Sequence, residues 1–370
     1  MVQSEPGPVV NSSNPVESPR NLGIDALRGF AAIAVMLYHF VGYFKISGVE
    51  PQFGKWIVDI ASHGKLGVIV FFVLSGYVIA MTSQQVKFSF ASSLRFLARR
   101  LTRLIPPYWA LIVGLTILYA AAKSAGYLAN SQLTIAQVLA NLFYLQRLAE
   151  AVPMSPVFWT LCIEVQFYLV FASLRSVIAI AFNGRGATPT TAIFALSMAA
   201  SVAWRASVPR DDIWFMGYWY QFAFGILAYR LASSPRFRAF PTLLILSASL
   251  FVGPDSDDTA ATSITGFTLF CLGRFRVGTR WLRWTGLPSV GTISYSLYLT
   301  HSTIAGTAYY PIQSKVAVSE TTVWLFICAM IVVSFLGSAA MYLVVERPAI
   351  RWSRRIATDK TSAVSLPSPN

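Results

Sequence analysis

Apolar residues run in blocks along most of the chain, and short polar segments rich in Arg, Gly and Pro separate them. A membrane-spanning helix needs roughly 20 predominantly apolar residues. Blocks at 24–44, 66–83, 104–122, 158–175, 187–204, 213–229, 240–252, 260–272, 289–308 and 322–345 therefore predict about ten spans. The blocks 240–252 and 260–272 are short, about 20 Å each at 1.5 Å per residue. They read either as two crossings or as a shallow hairpin around the acidic turn Asp255, Asp257 and Asp258, and both readings return the chain to the same side. Gln137, Asn141 and Gln146 interrupt the segment 133–148, which predicts an external or half-inserted amphipathic helix instead of a span. No internal repeat, direct or inverted, is visible.

Composition supports the membrane reading. With 55% hydrophobic and 12% charged residues and a mean hydropathy of +0.57, there are too few charges to cover a soluble surface. If the N-terminus lies in the cytoplasm and the spans alternate, twenty Lys and Arg fall inside and eight outside, with Arg28 within the first span. That bias follows the positive-inside rule, and an eleventh span at 133–148 would reverse every later loop. It also accounts for the basic excess, 29 Lys and Arg against 15 Asp and Glu, without nucleic acid. Cys162, Cys271 and Cys328 lie within apolar blocks and read as core filling. Residues 1–21 are rich in Pro, Ser and Asn and lack the basic start of a secretory signal, so they predict a disordered cytoplasmic tail. Residues 353–370 predict a cytoplasmic C-terminal tail, disordered from about Thr358. The expected fold class is all-α membrane: one domain over 22–352, a bundle of about ten transmembrane helices with a cytoplasmic interfacial amphipathic helix.

Ionisable residues inside spans are expensive and are candidates for function, with a structural hydrogen bond as the competing reading. Asp25, Arg28 and His39 fall on one stripe of the first span: the eleven-residue step from Arg28 to His39 is three turns plus about 20°, and about 16 Å along the axis. A cation thus stands near the cytoplasmic end and an imidazole in the outer half. In FWTLCIEVQFY, Glu164 and Tyr168 are one turn apart; in SYSLYLTH, His301 lies toward the outer end of its span. His39, Glu164 and His301 are expected at similar depth on three helices that could converge. His63 reads as an ordinary interfacial histidine. In the segment FSFASSLRFLARRLTRLIPPYW, Phe90, Leu94, Leu97, Leu101 and Leu104 repeat at helical spacing beside Arg95, Arg99, Arg100 and Arg103. These arginines suit anionic lipid headgroups and equally the phosphates of a nucleotide-bearing donor, which guanidinium forks hold bidentately. Pro106 and Pro107 are expected to break the helix there. The pair Ser75–Gly76 permits close helix contact or substrate passage.

Together, IDALRGFAAIAVMLYH, GVIVFFVLSGYVI, RRLTRLIPPYW, FWTLCIEVQFY, SYSLYLTH and the terminal VVERP closely resemble, in order, the motifs of the acyltransferase-3 family, over roughly residues 22–352. The resemblance implies a bundle of about ten membrane helices in the bacterial inner membrane, both termini cytoplasmic, that takes an acyl group from cytoplasmic acyl-CoA, acetyl being favoured. It implies transfer to a hydroxyl of an envelope carbohydrate such as exopolysaccharide or O-antigen, free or lipid-linked; some members acylate macrolides. By position it marks Arg28 and His39 as the family's Arg/His pair, Arg100 and Arg103 as its donor-associated RxxR, and Glu164 with Tyr168 as its ExxxY. Only a short tail follows Trp352, so a handover through a C-terminal hydrolase-like domain is expected to use a separate protein or not to occur.

The mechanism expected from these residues holds the donor's phosphates on Arg99, Arg100 and Arg103, with Arg28 guiding the pantetheine arm toward His39. The free-base imidazole then serves as general base or as nucleophile. Glu164 would orient His39 or His301, and Tyr168 would donate to the developing oxyanion. No metal and no nucleic acid enter this scheme; membrane lipids and the carbohydrate acceptor are the partners. The rival readings are a transporter using intramembrane His and Glu residues and a non-catalytic scaffold in polysaccharide synthesis.

Overall fold

A computed structural model describes residues 21–126, 133–182, 187–208, 213–234, 239–251, 256–275, 279–313 and 318–356. The expected tails, before residue 21 and after 356, lie outside the described residues, as do Asp255 and the loop cations Arg185, Arg210, Arg236, Arg238, Arg276 and Lys315.

Among the described residues, every expected block overlaps a helix. In chain order these are α1 Leu22–Ser47, α2 Lys55–Ser62, α3 Gly67–Thr82, α4 Phe90–Ser124, α5 Ile135–Leu142, α6 Phe158–Ala181, α7 Ala187–Ser207, α8 Trp219–Ala232, α9 Ala239–Leu250, α10 Ser256–Arg274, α11 Leu287–Thr292, α12 Ser294–Gln313, α13 Glu320–Met341 and α14 Arg347–Arg355. Among the described residues, five stretches are long and apolar enough to cross a membrane: Leu22–Ser47, Lys55–Thr82, Phe90–Ser124, Phe158–Ala181 and Glu320–Arg355. Ile117, Leu196, Ile245, Leu325 and Val344 turn outward and are exposed. Apolar side chains on the outside as well as the inside are what lipid as solvent requires, and the chain is a multi-pass membrane protein.

Local chemistry sets the helix ends. Asn21 caps α1, its Oδ1 accepting from the Gly23 and Ile24 amides at 3.1 and 3.3 Å, and Gly48 ends that helix in the left-handed region at φ 68°. Reciprocal Ser89–Ser92 and Ser319–Thr322 capping boxes start α4 and α13.

Three expectations change. Pro106 and Pro107 sit inside an unbroken 35-residue α4. They withhold only two N–H groups, while Pro107 and Tyr108 are buried against the bundle and Tyr295 Oη donates to the Leu104 carbonyl at 2.8 Å, so packing holds the helix through them. In the segment 133–148 the helix α5 is only eight residues long. The polar residues that interrupt the pattern are internal ties: Tyr108 donates to the Asn141 carbonyl at 2.7 Å, and the Asn141 side chain accepts from the Met154 amide at 3.1 Å. Finally, Asp257 and Asp258 lie in the first turn of α10, where the helix dipole favours acids, and α10 starts earlier than its apolar block.

Two glycine pairs allow very close backbone approaches. α3 crosses α8 where a Cβ on Gly76 would stand 2.0 Å from the Phe222 carbonyl oxygen, and one on Gly225 2.0 Å from that of Val73. α1 meets α11 where a Cβ on Gly29 would stand 2.2 Å from the Leu287 oxygen, and one on Gly291 1.9 Å from that of Asp25. Small residues drive such contacts in lipid, where no hydrophobic effect pulls helices together. The second crossing brings the start of α12 against Arg28.

Candidate active site

α1, α3, α4, α6 and α12 enclose a cavity of about 110 Å³ whose polar lining comprises Arg28, Ser75, Arg100, Arg103, Thr160, Glu164, Tyr168, Ser294, Tyr295 and Tyr298. Arg28, Arg100 and Glu164 are each positioned by a neighbour. Arg28 Nε donates to Ser294 Oγ at 3.3 Å, an acceptor delivered by the close Gly29–Gly291 crossing. Arg100 donates to Thr82 Oγ1 at 2.5 Å and lies over the Phe96 ring, 5.5 Å from its centroid. Glu164 accepts from Ser75 Oγ at 3.3 Å and from the hydroxyl of Tyr168 one turn on. Three guanidinium groups against one carboxylate leave the lining net positive by two charges, a fit for a multiply charged anion. Arg99 is half-buried beside them but is not among the lining residues.

The histidines form a second locus. His301, fully buried on α12, stands with Nε2 3.1 Å from His39 Nδ1 on α1. Its own Nδ1 donates to the Leu297 carbonyl at 2.8 Å, so its Nε2 is a lone-pair acceptor. His39 Nδ1 faces that acceptor and the Val35 carbonyl at 2.9 Å. Both partners accept, which assigns the proton to Nδ1 and leaves His39 Nε2 as the bare, basic nitrogen. The pairing thus selects a tautomer ready to take a proton or attack a carbonyl. His63 is exposed, its Nδ1 2.9 Å from the Asp59 carbonyl at the end of α2.

The expectation that His39, Glu164 and His301 converge is met by two of the three. Glu164 belongs to the arginine cavity and Tyr168 is committed to it, because the stripe carrying Glu164 faces α3 and α4. Between the loci stands Tyr298, which lines the cavity, shares a 2.7 Å hydrogen bond with Thr160 and places its ring centroid 6.1 Å from that of His301. Sequence reasoning singled out His301 and passed over Ser294, Tyr295 and Tyr298. The signal was present, since positions 294, 298 and 301 repeat at helical spacing within the motif already marked for His301. Among the described residues no three His, Cys, Asp or Glu side chains gather into a metal-binding group.

A family model described as an acyltransferase domain matches residues 21–343. An O-acetyltransferase, OatA, of Staphylococcus aureus is 31% identical over 189 residues, 48% of this chain and 29% of that protein. The exopolysaccharide production protein ExoZ of Rhizobium meliloti is 36% identical over 113 residues, 30% of this chain and 33% of the relative. Nodulation protein 10 of Rhizobium leguminosarum bv. viciae is 29% identical over 182 residues, 45% and 47% of the two chains. The matched stretch spans under half the length of each of these relatives. No solved structure matches the chain.

Proposed function

Because the chain belongs to the acyltransferase-3 family, we propose that it transfers an acyl group, acetyl being favoured, from cytoplasmic acyl-CoA to a hydroxyl of a cell-surface carbohydrate. The names of the relatives support the carbohydrate half of this reading, one being an O-acetyltransferase and another a protein of exopolysaccharide production.

The observation that carries the proposal is the double use of α1. One face of that helix sets Arg28 in a net-positive cavity and, about 16 Å further along, sets His39 against His301 with its basic nitrogen free. A donor with an anionic head and a long thin arm fits such a spacing. Arg100 and Arg103 take the phosphates of the donor, Arg28 steers its arm, and the arm passes Tyr298 to bring the thioester to His39. Glu164, held by Ser75 and Tyr168, fixes the charge and shape of the cavity.

In the general-base route the acceptor O–H gives its proton to His39 Nε2 and its oxygen bonds to the thioester carbon. The carbon–sulfur bond then breaks, and the departing thiolate recovers the proton from the imidazolium. In the nucleophilic route Nε2 bonds to that carbon first and the carbon–sulfur bond breaks to release the thiolate; the acceptor oxygen then bonds to the carbon as the carbon–nitrogen bond breaks, and its proton passes to the thiolate. His301 serves both by holding the His39 tautomer.

The same reading takes residues 22–352 as one transmembrane domain in the bacterial inner membrane. Its ten crossings place both termini in the cytoplasm. At about 52 Å, α4 exceeds a hydrocarbon core of about 30 Å, and its basic first turns form the cytoplasmic interfacial helix.

Purified protein incubated with labelled acetyl-CoA and a saccharide acceptor is expected to move the label to the saccharide, and His39→Ala to abolish the transfer. Label left on CoA, with His39→Ala indistinguishable from wild type, would sink the proposal in favour of a transporter. In cells, loss of one ester from the envelope polysaccharide on gene deletion, read by mass and NMR spectra, would identify the acceptor and acyl group together.

A further inference from the structure

Glu346, in the terminal VVERP motif, is a buried carboxylate to which no step above gives a role. It is 1% exposed and ends a π-helical turn, Tyr342–Glu346, between α13 and α14, where Pro348 offers no N–H to the Val344 carbonyl. Its Oε2 accepts from Ser296 twice, from Oγ at 2.6 Å and from the amide at 3.2 Å. That amide lies in the first turn of α12, where helix N–H groups lack partners within the helix and an anion is favoured. The other oxygen, Oε1, is buried without a hydrogen-bond partner among the described residues. A buried carboxylate so placed is costly unless a nearby cation offsets it. Arg28 is hydrogen-bonded to Ser294, two residues before Ser296, and its charge interacts with the like charge of Arg103 and with the carboxylates of Glu346, Asp25 and Glu164.

We infer that Glu346 is a positioning residue for Arg28: it clamps the first turn of α12, which holds Ser294 as the acceptor for the guanidinium, and supplies a countercharge from behind the cavity. The inference rests on the proposed acyl transfer and adds to it a remote carboxylate that acts on the reacting groups only through Arg28. Because Arg28 steers the arm of the donor while Arg100 and Arg103 hold its head, loss of the clamp misplaces the thioester without loosening the phosphates.

The test is steady-state transfer from labelled acetyl-CoA by purified full-length protein carrying Glu346→Gln, Ser296→Ala, Arg28→Lys and the two double combinations with Arg28→Lys. Glu346→Gln keeps an acceptor for Ser296 but removes the charge. It is expected to lower kcat by roughly tenfold to a hundredfold, as misplacement by about an ångström can, with the donor KM within about twofold of wild type. Ser296→Ala, which keeps Glu346 and guards against a glutamine variant that fails to fold, is expected to lose a smaller factor in kcat. On the Arg28→Lys background either change should cost little more, since residues acting through one another are not additive. A merely structural role predicts the same loss on both backgrounds, and that result overturns the inference. So do wild-type turnover in both single variants and a loss confined to KM. Wild-type protein that moves no label overturns the acyl-transfer reading and this role with it; transfer by wild type with an additive cycle overturns the role alone.

Discussion

At the scale of single residues, the proposed transfer turns on which nitrogen of His39 carries its proton. The Val35 carbonyl at 2.9 Å and the His301 Nε2 acceptor at 3.1 Å set that choice together, so His301 contacts His39 more directly than any carboxylate does. His301→Gln, whose side-chain oxygen can still accept from His39 Nδ1–H, is expected to retain measurable transfer, whereas His301→Phe, which leaves only the Val35 carbonyl on Nδ1, should lose about a hundredfold in kcat as the ring loses its lateral anchor. Wild-type turnover in the phenylalanine variant would show that the pairing is incidental. The arginines separate just as sharply. Arg100→Lys and Arg103→Lys, which replace forks lining the cavity by point charges, should each raise the donor KM by roughly tenfold, the scale of one charge-assisted hydrogen bond. Arg99→Lys should leave it nearly unchanged. Equal effects at all three would mean that the anion rests on the outer face of α4 and not in the cavity.

At the scale of elements, the site depends on helices that approach more closely than side chains normally permit. Phe72 stacks on Phe222 at 4.6 Å and Phe167 on the same ring at 4.1 Å, contacts worth about 0.5–1.5 kcal/mol each beyond burial. They hold only while Gly76 and Gly225 let the α3 and α8 backbones meet. Gly76→Leu is therefore expected to cost the folded protein itself: solubilised yield and the midpoint of thermal unfolding in detergent should fall, because the obstacle is backbone and cannot rotate away. A leucine variant as stable as wild type would refute this packing account of the Ser75–Gly76 pair, in which Gly76 makes the crossing and Ser75 binds Glu164. α4 teaches a related lesson. Two prolines in a row read as a break, yet the buried face around Tyr108 outweighs two missing N–H groups.

At the scale of the whole molecule, the asymmetry of basic residues and the position of the cavity imply one orientation. In the proposed orientation Gln52, after α1, is placed outside the cytoplasm and Lys87, before α4, inside it. A membrane-impermeant thiol reagent applied to intact cells is expected to label Gln52→Cys and not Lys87→Cys, with the three native cysteines replaced. The reverse pattern would put the arginine cavity on the outer side, away from any cytoplasmic thioester, and would remove the proposed route for the donor.

Much of this was legible without coordinates. Helix positions follow from apolar block length, since lipid forces backbone groups to pair within each segment. The shared face of Arg28 and His39 follows from the helical period alone. Periodicity within one helix, however, says nothing about which neighbour that face meets. Only the tertiary structure decided that Glu164 joins the arginines while His301 joins His39, that Arg99 stays outside the cavity, and that Tyr298 divides the two loci. Those pairings are set by crossings between helices distant in sequence, where a glycine on one backbone admits the carbonyl of another, and that complementarity becomes visible only when both surfaces are in place.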